Sequence, residues 1–459
     1  MSVSEAAAPR LAPRLAELAS RLVRPGLLRD QVALLVLSMV VNVLAFAFQF
    51  VMARLLEPPA YAEMFAVLSL LALVGVPSQA LNTLAVKITG ELFVHGRGAQ
   101  LWSWVVTALT RIGVAGLAIA VLVGLLSGLI RDTFQLSGVG SVLAAGMAIA
   151  LSYVVVVVKG ALAGTRHFVA LGVLSVAETA VRLGAGVLLV YLGLAAAGAV
   201  GATAVAALFA ALAGAVAVRR TVRHGVDHPE APPTEPPGWA DQTRILLISL
   251  ALAAMFNLDV LFVKHFFGES DAARYSAIAL VGRTIFFAAA PVSLVLLPHS
   301  IRAFSTGRSV APGLLLSLGL ILAIVGVAVA VILTYPAQVF AVLFGGRYEP
   351  DASLLWIYAL AGTLLSVTVV LAQLQIGVGH LTAWRALTLI TAAMVGGMVA
   401  FHGSLAELAG VLAVAAGVAA AYLGVHTAIL VRRVDRAQGM GRPAKVSQAT
   451  ATAPAAPSK

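Results

Sequence analysis

Twelve separate runs of about twenty mostly apolar residues leave this chain one folding option. The runs lie near 31–53, 60–84, 103–130, 139–159, 168–193, 196–218, 243–265, 273–299, 313–334, 352–377, 382–402 and 406–431. A helix rises about 1.5 Å per residue, so each run spans the roughly 30 Å hydrocarbon core of a bilayer. Apolar residues make up 61% of the chain and charged residues 11%, against roughly 45–50% and about 25% in a soluble domain. Water would not accept that surface. The expectation is an all-α polytopic membrane protein with no soluble domain. Residues 1–30 lack an apolar run before the first span, so they do not read as a cleavable signal peptide.

Loop charge sets the orientation. With residues 1–30 inside and twelve crossings, 22 of the 30 basic residues fall on the inner side and five on the outer. That asymmetry follows the positive-inside rule and places both termini in the cytoplasm. An odd span count would scramble it. Three segments then lie outside the bilayer. The basic leader 1–30 carries Leu15, Leu18 and Leu22 on one face of a short helix, which reads as an interfacial helix or as a solvated topogenic leader. Residues 219–242 form a Pro-rich cytoplasmic linker, and 432–459 a cytoplasmic disordered tail rich in Ala and Pro. The net charge of +11 is thus topological and does not point to nucleic acid.

The linker divides the chain into halves, 31–218 and 243–431, of six spans each. YAEMFAVLSLLALVGVP at 61–77 and YSAIALVGRTIFFAAAP at 275–291 share Tyr and Pro at a separation of 16. Asn42 precedes Tyr61 by 19 residues and Asn257 precedes Tyr275 by 18. Two parallel six-helix repeats around a central cavity are the architecture of alternating-access transporters. Pro77 and Pro291 interrupt the helix ladder at matching places and are candidate hinges.

The stretch NVLAFAFQFVMARLLEPPAYAEMFAVLSLLALVGVP resembles the opening of the polysaccharide (O-antigen-type) flippases, within the multidrug/oligosaccharidyl-lipid/polysaccharide exporter superfamily. FNLDVLFVKHFFGESDAARYSAIALVGR with a later LLP, and LFGGRYEPDASLLWIYAL, are similar to that family's second half. The resemblance implies translocation of a polyprenyl-diphosphate-linked oligosaccharide from the inner to the outer leaflet of the cell membrane. It also implies membrane lipids and other glycan-assembly membrane proteins as partners. The alternative is a cation-coupled multidrug or small-molecule exporter of the same superfamily, although the first span has Asn42 and Gln49 where such antiporters carry an acid. A membrane enzyme of glycan assembly ranks lower, because every outer loop is short.

Charged side chains inside the bilayer cost at least about 2.5–3.5 kcal/mol each, so each needs a reason. Arg111, Arg182 and Arg283 are candidate substrate ligands, since guanidinium stays charged and grips phosphate oxygens bidentately. Glu178 and Asp259 are candidates for ion coupling or charge pairing. Glu178 stands four residues before Arg182, the spacing of an intrahelical pair, and Asp259 stands one span before Arg283. No cysteine, HExxH or GxxxxGK[ST] occurs, so neither a metal site nor a nucleotide cofactor is expected, and no catalytic residue is assigned.

Overall fold

The computed structural model describes residues 25–223, 238–285 and 311–439. Among them the chain is helical, with no strand, as lipid demands: a backbone N–H in hydrocarbon has no water to satisfy it. Ten helices of the described residues are long and apolar enough to cross a membrane. One of these stretches, Phe168–Val222, is 55 residues long and folds back on itself.

The N-terminal half contains α1 (Pro25–Leu55), α2 (Pro58–Gly75), α3 (Ser78–Val94), α4 (Gly98–Leu125), the short α5 (Ser127–Thr133), α6 (Gly140–Gly164), α7 (Phe168–Leu189) and α8 (Ala195–Arg223). The C-terminal half contains α9 (Trp239–Phe266), α10 (269–285, where description stops), α11 (Ala311–Thr334), α12 (Pro336–Phe344), α13 (Ala352–Gly377), α14 (Ala383–Ala400) and α15 (Leu405–Gly439). Proline starts α1, α2 and α12, where its missing N–H leaves no intrahelical bond unmade. Gly345 ends α12 in the left-handed conformation at φ 65°. Asp351 caps α13, its carboxylate accepting from the amides of Ser353 at 3.0 Å and Leu354 at 3.2 Å.

Several expected boundaries move. Helix α1 begins at Pro25, so the last residues of the expected leader belong to the first span. Helices α8 and α9 take both ends of the expected linker, and α15 carries Arg432, Arg433 and Arg436 to Gly439 before the tail. Once a helix has formed, each further turn costs little, so it runs past the point where lipid stops requiring it. The expected second span, 60–84, is two helices broken at Val76–Pro77. Both residues keep helical φ, so the chain bends there without a loop. The Ser78 hydroxyl donates to the Gly75 carbonyl at 2.6 Å, within the break. Spans five and six are joined by Val190–Leu194, where Gly193 at φ 85° turns the chain. The leader helix and Pro291 lie outside the described residues.

The repeat is visible in the packing. Helix α1 packs on α7 as α9 packs on α14, and α4 on α6 as α11 on α13. Likewise α6 packs on α8 as α13 on α15, and α7 on α8 as α14 on α15. The halves meet chiefly along α2 and α9. Outward surfaces stay apolar, with Val114, Leu117, Leu315 and Leu316 each more than half exposed. Only a lipid environment accepts that much unpartnered apolar surface.

Candidate functional site

A cavity of about 430 Å³ lies between the halves. Its polar lining comes from Asn42 and Gln49 on α1, Ser69 on α2, Ser152 on α6, Thr203 on α8 and Asn257 on α9. Three aromatic rings, Phe46, Phe65 and Phe256, complete it. Two charged groups line it, Arg182 on α7 and Arg283 on α10, and no carboxylate does. The structure therefore brings together two of the three expected arginines, one from each half. Arg111 is exposed on α4 and is not among the lining residues. Its position in the apolar run gave no sign of which way the helix face turns.

Arg283 is held from three sides. Its guanidinium donates to the Phe256 carbonyl at 2.7 Å and to the Ser69 hydroxyl at 3.4 Å. It lies 3.6 Å from the Asp259 carboxylate and stacks over the Phe65 ring at 4.6 Å. Asp259 is fully buried behind it. The other carboxylate oxygen of Asp259 accepts from the Tyr275 hydroxyl at 3.1 Å and from the Tyr358 hydroxyl. That network ties α9, α10 and α13 together. It requires α10 and α13 to approach closely: a Cβ on Gly282 would come within 2.2 Å of the Tyr358 ring. Small residues at such crossings let membrane helices touch. Asp259 and Arg283 thus form the pair that their sequence positions allow, while Arg283 still faces the cavity.

Arg182 is anchored differently. Its guanidinium stacks over the Phe48 ring at 4.3 Å, and its Nε is buried without a hydrogen-bond partner. Glu178 is not its salt-bridge partner. Glu178 instead pairs with Lys159 of α6 at 2.5 Å. The four-residue spacing allowed an intrahelical pair, but the neighbouring helix offered a primary ammonium on a longer, more flexible stem. Among the described residues no carboxylate forms a salt bridge with Arg182; Glu178, one turn away, stays in electrostatic reach but keeps Lys159 as its ion pair. Pro77 lies at the break between α2 and α3, just past the cavity-lining Gly75. Among the described residues no cluster of three His, Asp or Glu side chains could hold a metal ion.

On the face formed by the α1–α2, α5–α6 and α12–α13 connections, the halves are closed against each other. Arg54 donates to the carbonyls of Leu343, at 3.1 Å, and Val342. Arg347 donates to the Leu56 carbonyl at 3.0 Å. Tyr61 meets Tyr348 edge-on at 6.1 Å, and Phe50 meets Phe344 at 6.5 Å. Gln135 donates to the His265 carbonyl at 3.0 Å. Beside this closure Glu63, 2% exposed, accepts from the Ser137 amide at 2.8 Å and from the Ser141 hydroxyl. Sequence reasoning assigned no role to Arg54, Glu63, Ser69, Arg347 or Tyr358. All five stand inside the segments quoted for the family resemblance, which was the available signal.

No family model and no curated protein matches the sequence. Solved structures do match the fold. The chain is similar to an inward-facing multidrug resistance MATE family transporter of the MOP superfamily, with TM-score 0.64 at 15% identity, over 86% of this chain and 95% of that one. It is similar to an outward-facing MATE transporter with TM-score 0.57 at 15% identity, over 89% and 96%. A third is a MOP superfamily transporter from Pyrococcus furiosus, described as having a binding pocket of reverse polarity. It aligns with TM-score 0.58 at 16% identity, over 89% and 96%. At such identities the likeness is one of fold. The chain is an all-α, multi-pass membrane protein with the two-half architecture of that superfamily.

Proposed function

We propose that this chain is an alternating-access transporter for an anionic, phosphate-bearing substrate, and that the substrate is a polyprenyl-diphosphate-linked oligosaccharide carried from the inner to the outer leaflet. The carrying observation is that Arg182 and Arg283, one from each half, line one cavity with no carboxylate among its lining residues. A cationic drug entering there would face two guanidinium groups in low dielectric. A diphosphate would find two planar forks of donors, each able to take a phosphate oxygen pair. The amides and hydroxyls of Asn42, Gln49, Asn257 and Ser69 suit the hydroxyls of a sugar.

The placement of the arginines also couples binding to movement. An anion that bridges them touches α7 and α10 at once, so its affinity changes whenever the halves rock. A ligand shifts a conformational equilibrium only through such a difference. With both termini and the linker in the cytoplasm, the closed face is the outer one, and the conformation described is the inward-facing state. The higher similarity to the inward-facing relative than to the outward-facing one supports that reading. The chain itself acts as a carrier in the cell membrane, working beside the membrane proteins that build and polymerise the glycan.

A second reading, a cation-coupled small-molecule exporter, is supported by the MATE likeness, with Asp259 as the coupling acid. The two readings separate in proteoliposomes. Purified protein is assayed for movement of a fluorescent polyprenyl-diphosphate oligosaccharide between leaflets, and in parallel for efflux of a lipophilic dye cation. Glycolipid movement lost in Arg182→Ala and Arg283→Gln supports the flippase. Dye efflux driven by an ion gradient, without glycolipid movement, overturns it in favour of the exporter.

A further inference from the structure

Two smaller cavities lie between α3 of one half and the start of α9 of the other. One, of about 330 Å³, is lined on one side by Lys87 and Leu84 and on the other by Gly238, Trp239 and Gln242. The second, of about 70 Å³, is lined by Gln79, Gln242, Ile245, Leu246 and Ser249. They share Ala80, Thr83 and Gln242, so they form one cleft. Followed along α3 the cleft runs from Lys87 to Gln79, and along α9 from Trp239 to Ser249. Beyond those points the same strips of chain supply Gly75, Ala72, Phe256 and Asn257 to the central cavity. The cleft therefore points from the α3–α4 end of the molecule, opposite the closed face, toward Arg182 and Arg283.

The residue pattern along the cleft is polar where lipid would demand apolar. Gln79, Thr83 and Lys87 follow at intervals of four, one face of α3. Gln79 and Thr83 are exposed. The Thr83 hydroxyl donates back to the Gln79 carbonyl at 3.0 Å, leaving its lone pairs outward. The Gln79 amide has no hydrogen-bond partner among the described residues. Lys87 stands 3.9 Å from Glu91 at the mouth, both partly exposed, and Trp239 is 81% exposed beside it. An exposed tryptophan at a helix start is the usual marker of headgroup depth. By contrast, a pocket of about 160 Å³ among α2, α4, α5 and α6, closed by Leu261 of α9, is lined entirely by apolar residues.

We infer that the α3–α9 cleft is a lateral entry path, binding the phosphate and sugar headgroup of a membrane-anchored amphiphile while its chain stays in the bilayer. The amide and hydroxyl side chains of Gln79, Thr83, Gln242 and Ser249 replace water around the headgroup as it leaves the leaflet surface. Lys87 draws the phosphate to the mouth. This rests on the phosphate-binding reading of the central cavity but names a different set of residues and a different property, the need for a lipid anchor.

The chain has no native cysteine, so single cysteines report cleanly. The test uses Thr83→Cys in the cleft and Leu315→Cys on the lipid-facing side of α11, both reconstituted in vesicles and labelled with a maleimide. Polyprenyl diphosphate in the membrane is expected to slow labelling of Thr83→Cys at least tenfold and of Leu315→Cys less than twofold. Soluble inorganic diphosphate is expected to leave both rates unchanged. Equal protection by the soluble and the anchored compound makes the cleft an aqueous vestibule and overturns the proposal, as does no protection by either. A plugging variant, Ala80→Trp, checked for an unchanged melting temperature, adds an independent reading. Glycolipid movement should fall at least tenfold while diphosphate affinity of the central cavity changes less than twofold. If wild-type protein shows no arginine-dependent diphosphate affinity, the cavity reading fails on its own, whatever the labelling rates show.

Discussion

Arg54 and Arg347 clasp the two halves reciprocally: each closes the helix end beside the other. Arg54, in the last turn of α1, donates to the terminal carbonyls of α12, and Arg347, just past α12, donates to the Leu56 carbonyl that ends α1. Helix C-termini carry unsatisfied carbonyls and partial negative charge, so both contacts are charge-assisted. They hold only while the face is shut. Each is worth about 1.5–3 kcal/mol at most and less where water reaches it.

Breaking the clasp with Arg54→Ala and Arg347→Ala together should move the population toward the state open on that face. A Gln49→Cys reporter in the cavity would show it through labelling by an impermeant maleimide from that side, faster by roughly tenfold. An unchanged rate would mean that the aromatic contacts of Tyr61, Phe344 and Tyr348 carry the closure alone.

For the Asp259–Arg283 pair, removing one partner should cost far more than removing both. Arg283→Gln leaves a buried carboxylate without its cation, at a cost of about 3–5 kcal/mol, and a clear fall in melting temperature in detergent is expected. Adding Asp259→Asn should restore most of that stability, because Tyr275 and Tyr358 can still donate to an amide oxygen. Diphosphate affinity should stay low in the double variant. Recovery of affinity together with stability would show that Arg283 acts only as a structural partner.

Arg182 makes the opposite case. Because Glu178 keeps Lys159 as its ion pair, Arg182→Ala should lower diphosphate affinity tenfold or more while the melting temperature falls little, through lost stacking on Phe48. Arg182→Lys should recover only part of the affinity, since a point charge lacks the fork geometry. Arg111→Ala, outside the cavity, should leave affinity as it is.

Asp351 gives a pH dependence whose sign can be stated. Its carboxyl is held below the ordinary range chiefly by the Ser353 hydroxyl, with help from the Leu354 and Ser353 amides and Arg274 at 2.7 Å. A carboxyl depressed in the folded state contributes stability that is complete above its unfolded value, roughly 3.9. That contribution is lost as pH falls through the lowered folded value. Asp351→Ala should cost about 0.5–2 kcal/mol near neutral pH, the usual loss of an N-cap. The difference in melting temperature between variant and wild type should close in acid. A difference that persists unchanged to strongly acid pH would show that the cap does not depend on charge.

Much of the architecture was written in the sequence because the bilayer imposes it. Length of apolar run and the glycine between spans five and six each follow from rules that act locally along the chain. Helices in lipid satisfy their own hydrogen bonds, so their existence does not wait on tertiary contacts. The cost of intramembrane charge likewise marked Arg182, Arg283 and Asp259 as residues in need of a reason.

Facing and partnership were not legible, because they depend on rotation of one helix against another. Arg111 and Arg182 sit in equally apolar runs, yet one points outward and the other lines the cavity. Spacing sets Glu178 one turn before Arg182, and only the packing of α6 on α7 gives it Lys159 as its ion pair. Arg54 and Arg347 lie nearly 300 residues apart and bind backbone carbonyls, which no side-chain pattern announces. Apolar run length alone was enough to read an all-α, multi-pass chain, and ten membrane-length helical stretches stand among the described residues. Tertiary structure alone decided which charges meet, because a helix presents only one side of itself to each neighbour.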